Sequence, residues 1–156
     1  MIQITVPGVG VIRLAHLVLD YNGTMAEDGL LLDGVEEKLA ILAERLQVHV
    51  VTADTHGTVA AALANNDVTL HIIGEKDQER QKQHYVQELG QQTVMAVGNG
   101  SNDRLMLETA ELGVALVQRE GACCSSVFSA DIVCTDILDV FDLVIKPDRL
   151  RATLRK

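Results

Sequence analysis

Short apolar runs alternate along the chain with segments that carry apolar residues every three or four positions. The first pattern predicts strands covered on both faces, and the second predicts amphipathic helices. The strands are predicted at residues 15–20, 48–52, 70–73, 93–97, 112–117 and 130–134, and the helices at about 35–46, 59–63, 76–89, 105–108 and 149–156, with a further helix between 117 and 130. Strands that alternate with helices are joined by crossovers, so we predict an α/β fold with a parallel sheet and helices on both faces.

Residues 2–14 precede this alternation and are rich in β-forming residues. Pro7-Gly8 and Gly10 interrupt them, which predicts a short N-terminal β-hairpin that covers one side of the sheet. No repeat, linker or low-complexity segment divides the 156 residues, and their length suits one hydrophobic core. We therefore expect a single domain, residues 1–156, with a three-layer, Rossmann-like architecture.

The composition indicates an aliphatic core and an acidic protein. The chain has 47% apolar residues but only two Phe, two Tyr and no Trp, and its formal charge is −9. Because clustered Lys and Arg bind a nucleic-acid backbone, this charge predicts no nucleic-acid partner. No apolar run approaches the roughly 18 residues that span a bilayer, and the first residues lack a signal pattern. We therefore expect a cytoplasmic protein with no membrane partner.

Cys123, Cys124 and Cys134 have no C-x-x-C spacing and no His at zinc-finger spacing. We predict that they are reduced packing residues, because free cysteines behave as small hydrophobic side chains. A redox or metal site at the vicinal pair is the alternative.

Polar side chains follow three of the predicted strands. Asp20 ends the first strand of the sheet, Thr52 ends the second, and the loop 99–103 follows the fourth, with Lys82 on the helix before that strand. The carboxyl ends of parallel strands form one rim, where open α/β sheets bind ligands, so we expect these groups to meet there. For Asp20 alone, a plain strand and turn with a helix-capping Asp is the alternative.

Four motifs in this order resemble those of the haloacid dehalogenase-like superfamily. The first, Asp20-Tyr21-Asn22-Gly23-Thr24, is similar to D-x-D-G-T and to the D-K-T-G-T of P-type ATPases, and Thr52 takes the place of the second. Lys82, Val86 and Leu89 resemble the K-x-x-x-V-x-x-L helix of those ATPases, residues 97–103 resemble V-G-D-G-x-N-D, and residues 111–116 resemble A-D-V-G-I-A. The resemblance covers residues 15 to about 145 and is most detailed for the ATPase phosphorylation domain.

This resemblance implies phosphoryl transfer through an aspartyl-phosphate on Asp20, with Mg²⁺ as the cofactor. It assigns catalytic roles to Asp20, Asn22, Thr52 and Lys82, substrate binding to Thr52, Ala53, Lys82 and Asn102, and metal binding to Asp20, the Asn22 backbone carbonyl, Asn99 and Asp103. Thr52 would donate to a phosphoryl oxygen, and Lys82 would balance the charge of Asp20 and of the transferred group. The chemistry agrees, because this transfer needs a nucleophile, oxygen clamps and positive charge.

Two residues depart from the superfamily pattern. Asn22 stands where the phosphatases have the Asp that acts as general acid and base, a role worth typically about 10²–10⁴-fold, so we expect slow turnover and a long-lived phosphoenzyme. Asn99 stands where a metal-binding Asp is usual, so Mg²⁺ affinity should fall and Asp103 becomes the main anionic ligand, directly or through water. His56 is a conceivable substitute proton donor, but a surface histidine at a helix start is the simpler interpretation.

The segments 25–47 and 53–81 are too short to add a cap domain to their helix and strand, so the site is predicted to be uncapped. Either a neighbouring copy in a homo-oligomer supplies a lid or the substrate is large. We predict a Mg²⁺-dependent hydrolase of the phosphatase type, acting on a phosphorylated small molecule or a phosphoprotein. The alternative is a degenerate, non-catalytic module that binds phosphate or Mg²⁺ and regulates a partner.

Overall fold

A computed structural model, which describes residues 1–54 and 57–156, has a six-stranded parallel sheet at its centre. The strands are β1 (Ile2–Val6), β2 (Gly10–Leu14), β3 (His16–Asp20), β4 (Ala26–Glu27), β5 (Leu30–Leu31), β6 (Gln47–Thr52), β7 (Thr69–Ile72), β8 (Val94–Gly98), β9 (Leu112–Leu116) and β10 (Ile132–Cys134). The helices are α1 (Val35–Ala43), α2 (Thr58–Ala62), α3 (Gln78–Glu88), α4 (Arg104–Thr109), α5 (Cys124–Ser129), α6 (Ile137–Ile145) and α7 (Pro147–Leu154). Short 3₁₀ turns precede β8, at Gln91–Thr93, and α4, at Ser101–Asp103.

The central sheet has the strand order β10-β9-β8-β3-β6-β7, and each neighbouring pair is parallel. This confirms the predicted parallel α/β sheet. The N-terminal hairpin is confirmed as well, with β1 and β2 forming an antiparallel pair of their own. Because β6, β3 and β8 are neighbours, the strand ends with Asp20, Thr52 and the 99–103 loop lie side by side at the carboxyl rim.

Aliphatic side chains cover both faces of the sheet. Along β3, Leu17 and Leu19 join a core with the hairpin, α1, α6 and α7, whereas Val18 joins a second core with α3 and α4. This division follows from the alternation of side chains along a strand. The predicted three-layer arrangement, with helices on both faces, is therefore confirmed.

Two elements lie where the sequence pattern predicts none. Residues 26–31 form the small antiparallel hairpin β4–β5 directly after the Asp20 turn. Helix α6 was missed, although Asp139 and Asp142, three residues apart, give it the polar stripe of an amphipathic helix. The boundaries of the other helices differ by a few residues; α7, for example, begins at Pro147, where proline suits the first helical position.

The cysteines correct one expectation. Cys124 is exposed, and Cys123 and Cys134 are half-buried, so Cys124 is not a packing residue. All three are free thiols, which agrees with the prediction that they are reduced.

A chain of buried or half-buried rings lies on the α3 side of the sheet. His16 Nδ1 is 3.1 Å from His49 Nε2, and His49 Nδ1 is 2.8 Å from the Tyr85 hydroxyl on α3. His71 stacks on Tyr85 with ring centroids 4.0 Å apart. Burial, followed by the charges of His16 and His71, lowers the pKa of His49 to about 4, so this imidazole is neutral at pH 7.

Candidate active site

The predicted site residues surround one cleft of about 440 Å³ at the carboxyl rim of β3, β6 and β8. Seven of the eight line it, namely Asp20, Asn22, Thr52, Ala53, Lys82, Asn99 and Asn102. The eighth, Asp103, lies beneath the cleft and is fully buried. The structure thus brings together all the residues that the motifs selected, and it places Asp103 behind the others. His56 lies outside the described residues.

Lys82 connects the nucleophile candidate to the loop that follows β8. Its Nζ atom is 2.6 Å from Asp20 Oδ1 and 2.6 Å from Asp103 Oδ1. The Lys82 side chain is 1% exposed, that of Asp103 0% and that of Asp20 13%. The result is a desolvated carboxylate–ammonium–carboxylate triad in which Asp20 and Lys82 line the cleft and Asp103 lies beneath it.

The sequence of α3 explains why this lysine is buried. Lys82 and Val86 are four residues apart and are the two buried residues of the helix, so they share one face. Val86 packs in the core, and Lys82 lies one turn nearer the rim. The same face of the helix therefore anchors α3 and directs the ammonium group to the strand ends.

Asp103 holds the loop after β8 in place. Its Oδ2 atom accepts hydrogen bonds from the backbone N–H groups of Asn99, at 2.9 Å, and of Gly100, at 2.8 Å. A Cβ atom at position 98 would lie 2.5 Å from this oxygen, so only glycine fits there. Both carboxylate oxygens of Asp103 thus have protein partners, and a metal role would require that one of them be exchanged. That role stays a prediction.

Burial sets the proton affinity of Asp20. It raises the pKa of Asp20 to about 6, the negative charge of Asp103 adds to this effect, and Lys82 opposes it. Burial by itself lowers the pKa of Lys82, but the two carboxylates outweigh it and the pKa is raised. Lys82 is therefore a permanent cation, and Asp20 is mostly ionised at pH 7 and increasingly protonated below about pH 6.

Thr24 and Gly23 join the Asp20 turn to the Asn99 loop. Thr24 Oγ1 lies 3.3 Å from Asp20 Oδ2 and 3.5 Å from Asn99 Oδ1. Gly23 has a φ of +77°, and a Cβ atom there would lie 2.8 Å from Asn99 Cγ. Glycine is therefore required at position 23 both for the turn and for the close approach of the two loops.

The remaining predicted residues have more peripheral positions. Thr52 is buried, and its hydroxyl accepts from the backbone N–H of Asp54 at 3.3 Å, which leaves its own proton available. Asn22 is exposed beside the cleft. The Asn102 amide donates to the side-chain oxygen of Gln78 at 2.8 Å. Gln78 also lines the cleft, and the motifs did not indicate it.

The donor set of the site suits a hard divalent cation. Asp20 offers a carboxylate, Asn22 a backbone carbonyl and Asn99 an amide oxygen, and oxygen ligands of these kinds are those that Mg²⁺ prefers. Within residues 1–54 and 57–156, no three His, Cys, Asp or Glu side chains are grouped as metal ligands. The residues present therefore fit Mg²⁺, with a low negative charge that favours weak binding.

Two uncharacterized proteins of Methanocaldococcus jannaschii are similar to parts of this chain. One is 45% identical over 62 residues, which are 40% of this chain and 67% of that protein. The other is 49% identical over 39 residues, which are 25% of this chain and 89% of that protein. No family model matches the chain.

Solved structures share the architecture at low identity. A proposed HAD family hydrolase from Streptomyces avermitilis has a TM-score of 0.69 and 21% identity, over 87% of each chain. A 3-deoxy-D-manno-octulosonate 8-phosphate phosphatase from Moraxella catarrhalis, in complex with magnesium and phosphate ions, has a TM-score of 0.69 and 15% identity, over 92% of this chain and 95% of that one. A zinc-transporting PIB-type ATPase has a TM-score of 0.63 and 22% identity, over 79% of this chain and 20% of that one. Such identities show a shared fold and leave the activity to the site itself.

Proposed function

The chain has the haloacid dehalogenase-like fold and belongs to one family with the two Methanocaldococcus proteins, and we propose that it is a Mg²⁺-dependent phosphohydrolase or phosphotransferase. The observation that carries this proposal is the buried Lys82, bonded to Asp20 in the cleft and to Asp103 beneath it. An ion pair that only stabilised the fold could be buried entirely. Here one carboxylate lies at the end of a strand, where it is open to solvent and to a ligand. The similar phosphatases, with cobalt or magnesium bound, support a divalent metal.

In the proposed reaction, a carboxylate oxygen of Asp20 attacks the phosphorus, and the bond to the leaving-group oxygen breaks. Lys82 has three N–H donors, of which Asp20 and Asp103 use two within the described residues, and the third is available to a phosphoryl oxygen. The Thr52 hydroxyl and the polar groups of Ala53 and Asn102 complete the clamp. Water then hydrolyses the aspartyl-phosphate and regenerates the carboxylate.

A bound Mg²⁺ would offset the charge between Asp20 and the phosphoryl oxygens. The residues that would hold it are Asp20, the Asn22 carbonyl and Asn99, with Asp103 behind them. Because Lys82 is already shared between two carboxylates, it alone leaves the site with a net negative charge before substrate arrives. A phosphate dianion would therefore meet a net repulsion at Asp20 unless these residues held a cation.

Asn22 makes the hydrolysis step slow. An amide cannot exchange a proton with the leaving group or with the attacking water, and this assistance is worth typically about 10²–10⁴-fold. We therefore propose a comparatively long-lived phosphoenzyme. Acyl phosphates and other substrates with good leaving groups should be turned over best, because they need the least protonation.

We further propose that the chain acts as a single catalytic domain without a cap. The short hairpin β4–β5 is the segment that follows the Asp20 turn, and α2 with β7 follows Thr52. A second copy of the chain or a large phosphorylated substrate would then cover the cleft. No helix in the described ranges is long and apolar enough to cross a bilayer. Location in the cytoplasm is part of the proposal.

The decisive assay measures turnover of acetyl phosphate and p-nitrophenyl phosphate with and without Mg²⁺, for wild type and Asp20→Ala. We expect a slow, Mg²⁺-dependent rate that Asp20→Ala abolishes, together with an acid-stable gain of one phosphoryl group on the Asp20 peptide. Asn22→Asp should raise the hydrolysis rate, up to the roughly 10²–10⁴-fold that an acid–base group supplies. Asn65→Asp, on the exposed surface, is the charge-matched control.

The alternative is a non-catalytic module that binds phosphate or Mg²⁺. It is favoured by the amide at position 99 and by the protein partners of both Asp103 oxygens. Such a module would bind phosphate and Mg²⁺ without turnover that depends on Asp20. A mass spectrum that shows no phosphoenzyme with any acyl phosphate, combined with measurable phosphate binding, would favour this alternative.

A further inference from the structure

A second cavity lies beside the catalytic cleft on the same rim. It has a volume of about 600 Å³ and lies at the carboxyl ends of β9 and β10, next to hairpin β4–β5. Gly23 lines it from the Asp20 turn, and Glu120 lines both this cavity and the catalytic cleft. The two spaces are therefore neighbours on the rim, with Glu120 between them.

The charge of this second cavity is strongly negative. One guanidinium, that of Arg119, faces four carboxylates in its lining, those of Glu27, Asp33, Glu120 and Asp136. Arg119 is already paired with Glu27 at 3.3 Å. The Glu120 carboxylate has no hydrogen bond or ion pair among the residues that the structure describes.

Apolar side chains give this cavity a second character. Leu32, Ile137 and Leu138 contribute to its lining beside the carboxylates. A ligand that matches both features has an aliphatic body and a positive end. A phosphate ester with a neutral or anionic organic part would satisfy neither Glu120 nor the net charge of the rim.

One side chain of the second cavity, that of Gln118, is hydrogen-bonded to the Asp20 turn. The Gln118 amide donates to the Thr24 carbonyl at 2.9 Å and to the Gly23 carbonyl at 3.4 Å, and its oxygen accepts from the Ile137 N–H at 3.0 Å. Gln118 therefore connects the Asp20 turn to the start of α6. A group held in the second cavity has a defined position relative to Asp20 because of this connection.

We infer that the substrate carries a protonated aliphatic amine, which lies in the second cavity near Glu120 while the phosphoryl group of the same molecule lies at Asp20. This inference rests on the proposed function, since it places the phosphoryl group in the catalytic cleft. Glu120 is then a specificity-determining residue. Its attraction for the amine also offsets the repulsion between the acidic rim and the phosphate dianion.

The test compares ω-aminoalkyl phosphates of two to six carbons with alkyl phosphates of the same lengths. Binding in the presence of Mg²⁺ is measured by calorimetry on Asp20→Asn, which does not turn over substrate and keeps Asp103 to pair with Lys82. We expect the amine series to bind more tightly at the longer chain lengths. Glu120→Gln should reduce that preference about two- to fivefold, the range of a solvent-exposed ion pair, and added salt should weaken it.

Glu44→Gln is the matched control. It removes the same charge, but Glu44 lies with Ala15, His16 and Gln47 at the amino ends of β3 and β6, opposite the carboxyl rim. We expect it to leave the preference unchanged. Equal affinity for the two series, no measurable binding of either, or an equal effect of Glu44→Gln and Glu120→Gln would overturn the inference. A Glu120-dependent preference in a wild-type protein that hydrolyses nothing would instead support the inference and contradict the proposed catalysis.

Discussion

Replacing Lys82 with methionine should strongly destabilise the protein. The wild-type ammonium group is 1% exposed and lies 2.6 Å from both Asp20 and Asp103. Methionine fills a similar space without charge, so Lys82→Met leaves two carboxylates close together, one of them wholly buried. Removing one partner of a buried ion pair costs about 3–5 kcal/mol, a large part of the roughly 5–15 kcal/mol by which a domain is stable.

The loss should depend on pH in a defined direction. The pKa of Asp20 is raised to about 6 in the wild type, and without Lys82 it should rise further. A carboxyl group whose pKa is higher in the folded than in the unfolded protein stabilises the fold when it is protonated. This contribution is fully present below pH 3.8, the unfolded-state pKa, and is lost as the pH rises through the folded-state pKa. The stability difference between Lys82→Met and wild type should therefore be larger at pH 8 than at pH 5.

Urea unfolding at the two pH values measures this difference. Lys38→Met is the matched control, because Lys38 also contacts a carboxylate, that of Asp142, but Lys146 and Arg149 contact the same group. Removing Lys38 leaves Asp142 paired, so we expect a smaller loss with little dependence on pH. If Lys82→Met is too unstable to purify at pH 8, Lys82→Arg, which keeps the charge, should restore folding.

A free energy of unfolding for Lys82→Met at pH 8 within about 1 kcal/mol of that of wild type, the upper range of an exposed ion pair, would refute this role of Lys82. It is also refuted if the loss is equal at both pH values, because Asp20 would then not be the group that titrates. A loss in Lys38→Met as large as that in Lys82→Met would show that burial of the triad does not matter.

Three other predictions concern the turn, the nucleophile and the ring cluster. Gly23→Ala should lower the melting temperature and the activity much more than Gly29→Ala. Both glycines have a positive φ, but only Gly23 contacts Asn99, so equal effects would exclude a role for that contact. With limiting Mg²⁺, kcat/KM should fall as the pH falls through about 6, the pKa of Asp20; a flat profile down to pH 4.5 would contradict this. As the pH falls from 6.5, the ordinary pKa of His, to about 4, the free energy of unfolding should decrease, because the pKa of His49 is lowered in the folded protein. His49→Gln should flatten this pH dependence in urea titrations. An unchanged dependence would show that another group causes it.

The central sheet could be predicted from the sequence because its strands are short apolar runs with no competing interpretation. Helix α6 was missed although Asp139 and Asp142 mark a polar stripe on it, because its other residues are apolar and so short an apolar segment resembles a buried strand. The hairpin β4–β5 was equally hidden, because strands of two residues carry no alternation to detect. In both cases tertiary packing supplies what the local pattern lacks.

The site was predictable where strand ends fix positions. Asp20 and Thr52 end adjacent strands, and the face that Lys82 shares with Val86 directs it inward, so the motifs locate the cleft. The burial of Asp103 was not predictable, because its side-chain direction depends on the 3₁₀ turn at Ser101–Asp103. Glu120 and the second cavity were also missed, since their position depends on how loops of distant strands approach the Asp20 turn.

The position of β8 between β3 and β9 has a consequence for synthesis of the chain. The ribosome delivers Asp20, Thr52 and Lys82 before β8 and the loop that contains Asp103. A nascent chain that stops near Gly90 therefore has the nucleophile and its cation but no inner strand to hold them together. Fragments divided at Gly90 should each lack the phosphoryl-transfer centre and regain it only when mixed.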